Sequence, residues 1–188
     1  ALARQSGDDA GARADLYSIG NLRYALGDFA PALEAYQESL ALARRLSDRA
    51  SALLALIGVG DSHEALGQTT PALQAYDAAL SLARELGDRA SEQTILADYG
   101  WIYYRLEEYP TAEEYYRQAL ALARAAGERL SEATYLYRIG LARFWGDLPA
   151  TAEEPYQQAL VLWRELGDRE MEASSLDILG TIYWDGGR

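Results

Sequence analysis

The chain has 188 residues, of which 49% are hydrophobic and 24% charged, and its formal net charge is −12. Nucleic acids and anionic membranes require clustered Lys and Arg, which the sequence lacks, and no apolar run reaches the roughly 18–20 residues that span a bilayer. The absence of cysteine excludes disulfides and thiolate metal sites and is compatible with a cytoplasmic location; all 17 basic residues are Arg, which is typical of a GC-rich bacterial genome.

Several residue types recur every 40 residues along the chain. Glycine does so at Gly20, Gly60, Gly100, Gly140 and Gly180. In the same register the sequence repeats Tyr36, Tyr76, Tyr116 and Tyr156, and also Ala32, Ala72, Ala112 and Ala152. Leucine and two arginine positions follow the same spacing. Columns of this kind over four copies indicate a repeat architecture.

Each 40-residue unit is predicted to contain two helices. In the second unit, apolar residues at helical spacing predict a first helix over 50–66 and a second over 70–86. Gly67 and Gly87 follow these helices, where a left-handed conformation is readily adopted. Pro71 falls in the first turn of the second helix, where the missing N–H costs little. The predicted fold class is therefore all-α, a solenoid of antiparallel helix hairpins.

The register also predicts how the chain is divided. We expect residues 1–188 to form a single solenoid fragment of a longer protein, with ends that lack a polar cap and could associate end to end. Residues 1–8 match the tail of a preceding second helix, and residues 169–188 match the first helix of a fifth repeat. The full repeats are predicted at 9–48, 49–88, 89–128 and 129–168.

The repeated glycine lies inside the first helix of each unit, where it costs about 1 kcal/mol relative to alanine. We expect it to let the second helix approach closely, with the repeated alanines supplying the other small surface. The repeated tyrosine is then a core residue with its hydroxyl near the rim. None of these columns is a candidate for an active site.

The fourth repeat departs from this pattern. Pro155 falls inside the predicted second helix, and Trp163 replaces an alanine of the other repeats. Thr151 and Glu154 could form a capping box that starts the helix late, which would place Pro155 in its first turn. A local kink is the alternative. We expect altered packing between this hairpin and the helix that follows.

No group of residues suggests catalysis. His63 is the only histidine, so a transition-metal site would have to be built largely from carboxylates. Acidic pairs such as Glu113–Glu114 are explained by the dipole of the helix that they begin. A glycine-rich phosphate loop is absent from the sequence. The sequence predicts neither an enzyme nor a cofactor or metal site.

The repeated glycine, alanine and tyrosine, clearest over residues 21–49, resemble the tetratricopeptide repeat, in its 40-residue long-helix subclass found in bacterial signalling ATPases and regulators. The resemblance covers essentially the whole chain. It implies a right-handed superhelix in which the first helices line a concave groove. Ligands in this family meet positions around the repeated glycine, which here are Tyr17, Asn21, Tyr24, Asp61, Glu64, Trp101, Tyr104, Arg105, Tyr137, Leu141, Phe144 and Trp184.

Aromatic residues with one arginine are the types enriched at binding hot spots, although some could instead form the core between hairpins. The groove is predicted to be acidic in its first half, at Asp61 and Glu64, and aromatic in its second. A protein or peptide with apolar or aromatic anchors and a basic end would suit it. The sequence thus favours a protein–protein interaction module of a larger bacterial regulatory protein. The alternatives are a sensor of a small effector in a signal-transducing ATPase, and an architectural spacer or self-association surface.

Overall fold

The computed structural model describes residues 8–146 and 149–185, which form α-helices joined by short turns. The helices are α1 (Asp9–Ala25), α2 (Phe29–Arg45), α3 (Arg49–Ala65), α4 (Thr69–Leu86), α5 (Arg89–Arg105), α6 (Tyr109–Ala126), α7 (Arg129–Trp145), α8 (Pro149–Leu166) and α9 (Arg169–Asp185). The first helices begin 40 residues apart. The all-α hairpin repeat predicted from the sequence is therefore confirmed, while the tail assigned to residues 1–8 falls almost wholly outside the described residues. None of the described helices is both long and apolar enough to cross a membrane.

The chain divides into two compact units, residues 1–91 and residues 92–188. The N-terminal unit contains the hairpins α1–α2 and α3–α4. The C-terminal unit contains α5–α6, α7–α8 and α9, with the first three residues of α5 before the boundary. That both units belong to one solenoid domain stays a prediction.

Side-chain caps and left-handed residues define the helix ends. Asp48 precedes α3 and accepts from the backbone nitrogen of Ser51 at 3.0 Å and from its hydroxyl at 2.7 Å. Such a cap satisfies backbone donors that the first turn of a helix leaves open. Gly87 ends α4 with φ of 70°, a conformation that glycine adopts without the steric cost other residues incur. These local signals set the 40-residue period of the hairpins.

The core of each hairpin is built around the repeated tyrosine. A Cβ placed on Gly20 would lie 2.6 Å from the Tyr36 ring, and one placed on Gly100 would lie 2.5 Å from the Tyr116 ring. The close approach predicted for the glycine is thus confirmed. The three nearest atoms to that Cβ all belong to the tyrosine ring, so the tyrosine is the first surface that the glycine meets, while the repeated alanines are fully buried in the same core. The tyrosine ring lies so close to the first helix that no Cβ fits between them, and glycine is the residue without one.

The fourth hairpin corrects another prediction. Helix α8 begins at Pro149 and continues through Pro155, so the late start at a capping box is wrong. Pro155 cannot donate to the carbonyl of Thr151 four residues earlier, but Arg143 Nη1 donates to that carbonyl at 2.8 Å. The uninterrupted helix also removes the reason to expect altered packing. Helices α8 and α9 share one buried apolar cluster, which consists of Ala152, Tyr156, Leu160, Leu179 and Ile182.

Candidate binding site

On helix α1 the predicted site residues contact the core tyrosine and the start of α2. The hydroxyl of Tyr36 donates to Asn21 Oδ1 at 2.7 Å, and the ring of Tyr17 lies 5.7 Å from that of Tyr36. Tyr24 meets Phe29 edge to face at 5.2 Å. Asn21 therefore acts as the hydrogen-bond acceptor of the buried tyrosine. The sequence did not reveal this role, because the residue after the glycine varies between repeats.

Asp61 occupies the position of Asn21 in the second hairpin and likewise serves as the acceptor for the core tyrosine. It accepts from the Tyr76 hydroxyl at 2.7 Å. Burial raises the pKa of the Asp61 carboxyl, the hydrogen bond from Tyr76 opposes this, and the nearby Glu64 adds to the rise. The acidity predicted for this part of the groove is thus partly engaged in holding the core tyrosine.

In the C-terminal unit, four predicted residues come together at one cavity. It has a volume of about 450 Å³, within the range of roughly 300–1,000 Å³ typical of ligand sites. We call it the aromatic pocket; it is lined by Trp101, Tyr104, Tyr116, Leu130, Thr134, Tyr137, Arg138, Leu141, Trp163, Asp168 and Met171. Helices α5 to α9 all contribute, so three successive first helices and two second helices define its shape.

The wall contributed by α5 is a stacked aromatic pair. The rings of Trp101 and Tyr104 are 6.0 Å apart and inclined by only 14°. The guanidinium carbon of Arg138 lies 6.0 Å from the Trp101 ring centroid and 5.6 Å from that of Tyr116, within the range of cation–π attraction. Trp101 is 42% exposed and Leu130 is 60% exposed. The pocket therefore has an apolar rim open to solvent.

The ionisable groups of the pocket favour binding over acid–base chemistry. Burial raises the pKa of the Tyr104 and Tyr137 hydroxyls. It also raises the pKa of Tyr116 to about 12, although the charge and hydrogen bond of Arg138 oppose the rise. Asp168 Oδ1 accepts from the backbone nitrogen of Met171 at 3.0 Å and so caps α9. Because the phenols hold their protons more tightly than usual, they remain neutral hydrogen-bonding groups near neutral pH.

Three predicted residues of the C-terminal unit lie outside the aromatic pocket. Phe144 packs against the buried cluster shared by α8 and α9, and its ring meets that of Trp145 edge to face at 5.3 Å. Arg105 is exposed at the end of α5, and Trp184 is 85% exposed near the end of α9. Phe144 thus packs against the same buried cluster as Tyr137 and Leu141 but, unlike them, does not line the pocket, and Trp184 lies on the surface.

Seven pocket residues were missing from the predicted site. Tyr116 belongs to a column that the sequence assigned to packing alone, and Arg138 lies two residues before the repeated glycine, outside the family's ligand positions. Trp163 was visible as a departure from an alanine column. The remaining four are Leu130, Thr134, Asp168 and Met171.

His63, the only histidine, lies outside this pocket. Its Nδ1 is 2.6 Å from Gln68 Oε1, which accounts for the side chain as part of the turn after α3. Across the described ranges, no three acidic or histidine side chains are grouped closely enough to hold a metal ion.

Comparison with known proteins gives a family match and a common fold. A family model described as the tetratricopeptide repeat matches residues 12–85 and 48–125, which together make up more than half of the chain. No curated protein sequence gives a significant match.

Among solved structures, BtubC from P. vanneervenii is 22% identical, with a TM-score of 0.83 over 99% of this chain and 78% of its own. A signal transduction ATPase with a tetratricopeptide repeat sensor, from Pyrococcus horikoshii, is 17% identical, with a TM-score of 0.87 over 99% of this chain and 29% of its own. The Rap conjugation gene regulator of plasmid pLS20, in complex with the Phr* peptide, is 17% identical, with a TM-score of 0.72 over 87% of this chain and 45% of its own. The chain thus spans less than half of the last two, and identities this low establish the fold alone.

Proposed function

Because the chain belongs to the tetratricopeptide repeat family, we propose that it is a non-catalytic binding module whose aromatic pocket takes an apolar or aromatic side chain of a partner peptide. The main support for this proposal is that Trp101, Tyr104, Tyr137 and Leu141 line one cavity of about 450 Å³. Large aromatic side chains around a concave centre, with arginine beside them, are the usual composition of binding hot spots. The Rap regulator solved with a peptide supports this choice of ligand class.

The module is proposed to act within a larger, cytoplasmic regulatory protein of bacteria. The solved structures with a similar fold include a signal transduction ATPase and a conjugation gene regulator, which supports a regulatory setting, and the all-arginine composition supports a bacterial source. End-to-end association of neighbouring molecules is a separate proposal, supported only by the repeat architecture.

The test is selection of peptides from a random 12-residue display library on the wild-type chain and on a Trp101→Ala, Tyr104→Ala variant. These side chains form one wall of the pocket, and their loss should weaken a selected peptide by at least about tenfold, as expected for hot-spot aromatics. The matched control is Trp145→Ala, since Trp145 is 56% exposed and does not line the pocket. Peptides that bind the double variant as tightly as the wild type would refute the proposal and favour an architectural spacer.

A small effector is the second candidate, because the pocket volume also suits a compact molecule and a similar fold serves as a sensor in the Pyrococcus horikoshii ATPase. A thermal-shift screen of metabolites, run on the wild type and the same double variant, separates the two. A metabolite that stabilises only the wild type, together with failure to select any peptide, would replace the peptide by an effector.

A further inference from the structure

Helix α8 carries two buried polar groups without a hydrogen-bond partner, one on a residue that lines the aromatic pocket and one on a neighbouring residue of the core. The indole Nε1 of Trp163 and the hydroxyl of Tyr156 find none among the described residues. Trp163 is 2% exposed and lines the pocket, and Tyr156 is fully buried. Most buried polar groups in proteins are paired, because leaving one unpaired destabilises the fold. Two such groups in one hairpin therefore call for an explanation.

Both groups result from departures of this hairpin from the repeat. In the first two hairpins the residue after the glycine is Asn21 or Asp61, each of which accepts from the core tyrosine. The equivalent residue here is Leu141, which has no acceptor and instead lines the pocket. Trp163 occupies a position that is alanine in the other three repeats. Compared with the first two hairpins, this one lacks the side-chain acceptor for its core tyrosine and has an additional donor, the indole N–H of Trp163.

The unpaired hydroxyl lies close to the pocket wall. The Tyr156 ring meets the Tyr137 ring edge to face at 5.3 Å. Burial raises the pKa of Tyr156, and the neighbouring hydroxyls of Tyr137 and Tyr104 add to the rise. Together with Arg138, these groups make the pocket lining rich in donors, and Asp168, its one carboxylate, already accepts from the backbone of α9.

We propose that the ligand of this pocket carries a neutral acceptor oxygen, as in a peptide carbonyl, which accepts from Trp163 Nε1 while an adjacent aromatic or large aliphatic side chain fills the apolar space. This rests on the proposed function and names the chemistry of its ligand. An indole N–H can only donate, so the complementary group must accept. A neutral oxygen fits better than a carboxylate because desolvating a charge in an apolar pocket is costly. An ammonium group offers no acceptor and would face Arg138.

The indole signals in a ¹H–¹⁵N correlation spectrum test this directly. The chain has four tryptophans, so single Trp→Phe variants assign all four signals. The probe is N-acetylphenylalanine amide, and its neutral counterpart without an acceptor oxygen is ethylbenzene. We expect the Trp163 signal to move downfield and saturate with the amide, and not with ethylbenzene. A titration in which the Trp101 signal moves and the Trp163 signal stays would overturn the proposal.

The affinity of the two probes for Trp163→Phe gives a second measurement. The amide should bind at least about fivefold more weakly, roughly the contribution of one hydrogen bond, while the affinity for ethylbenzene is unaffected. The control is Trp145→Phe, which changes an exposed indole outside the pocket and should alter neither affinity. Equal loss for both probes, or loss for neither, would overturn the hydrogen bond.

Two further variants separate this inference from the function on which it rests. Tyr156→Phe should raise the urea midpoint of unfolding, because it deletes an unpaired buried hydroxyl. Tyr76→Phe should lower the midpoint, because it removes the hydrogen bond from the Tyr76 hydroxyl to Asp61. If Tyr156→Phe lowers the midpoint, the hydroxyl is paired in solution and the assignment of a donor-rich pocket falls. If Trp101→Ala, Tyr104→Ala weakens binding of the amide and Trp163→Phe leaves it unchanged, the pocket remains the binding site and only the acceptor is wrong. If neither variant weakens it, the proposed function fails as well.

Discussion

Arg143 donates a hydrogen bond from Nη1 to the backbone carbonyl of Thr151, 2.8 Å away. This is the carbonyl that Pro155, lacking an N–H, leaves without its intrahelical donor. The Nε of Arg143 also pairs with Glu113 at 2.8 Å, and both side chains are mostly buried, at 16% and 15% exposure. A side chain from α7 thus supplies to α8 the donor that its own backbone lacks.

The first prediction is that Arg143 and Pro155 are energetically coupled. Arg143→Ala should destabilise the chain by about 1–2 kcal/mol, because it removes the donor to the Thr151 carbonyl and one of the two arginines that pair with Glu113, the other being Arg117. In a Pro155→Ala background, where the backbone N–H is restored, we expect this cost to fall by about 1 kcal/mol. Urea unfolding of the four proteins in this double-mutant cycle measures the coupling. Pro110→Ala, in the first turn of α6, is the control background; additivity in both cycles would show that Arg143 does not compensate for the proline.

The second prediction concerns the glycine beside the core tyrosine. Gly100→Ala should destabilise the fold by about 1–3 kcal/mol, since the new Cβ would lie 2.5 Å from the buried Tyr116 ring. Gly180 holds the same position in α9, and a Cβ there meets nothing within 4 Å. Gly180→Ala should therefore stabilise by about 0.5–1 kcal/mol through helix propensity alone. Thermal and urea unfolding compare the two variants; equal effects would argue against the ring contact as the reason for the repeated glycine.

The third prediction is a pH dependence at Asp61. Burial raises its pKa in the folded state above that of the unfolded chain, so the folded state binds the proton more tightly. The stability that this carboxyl contributes is therefore fully present below the pKa that it has in the unfolded chain. It is lost as the pH rises through the pKa that it has in the folded protein. Asp61→Asn keeps an acceptor for Tyr76, as Asn21 does for Tyr36. The variant should match the wild type at low pH and become the more stable protein as pH rises above about 4.

Urea unfolding at a series of pH values measures this difference. Asp15→Asn, on the exposed part of α1, provides the baseline for removing one carboxylate from an acidic chain. A stability difference for Asp61→Asn that does not change with pH relative to this baseline would show that the carboxyl is not perturbed by burial.

The helices, their ends and their 40-residue period could be predicted from the sequence because each depends on neighbours in the chain. Apolar spacing predicts a helix, Pro71 falls in the first turn of α4, and Gly87 permits the left-handed residue at its end. The late start expected for α8 was wrong for a related reason. A capping box is a local signal, whereas the donor that lets the helix continue through Pro155 comes from Arg143 on another helix.

The candidate site was only partly predictable. The sequence placed Trp101, Tyr104, Tyr137 and Leu141 on the ligand-facing positions of successive first helices, and these are the residues that meet at the aromatic pocket. It could not separate them from Phe144, which packs against the same buried cluster as Tyr137 and Leu141 but does not line the pocket, or from Asn21, which accepts from Tyr36. Spacing along one helix determines which residues share a face, but hydrogen-bond partners depend on how two helices cross.

By itself, the sequence determined an all-α repeat, its register and the acidic, cysteine-free character of the chain, since these follow from residue types and their spacing. The tertiary structure decided which side chains converge. Trp163 looked like a single departure from an alanine column, and only the packing of α8 against its neighbours places it in the wall of a cavity with its Nε1 unpaired. Burial and pairing are properties of contacts between helices, so they arise only when the helices are assembled.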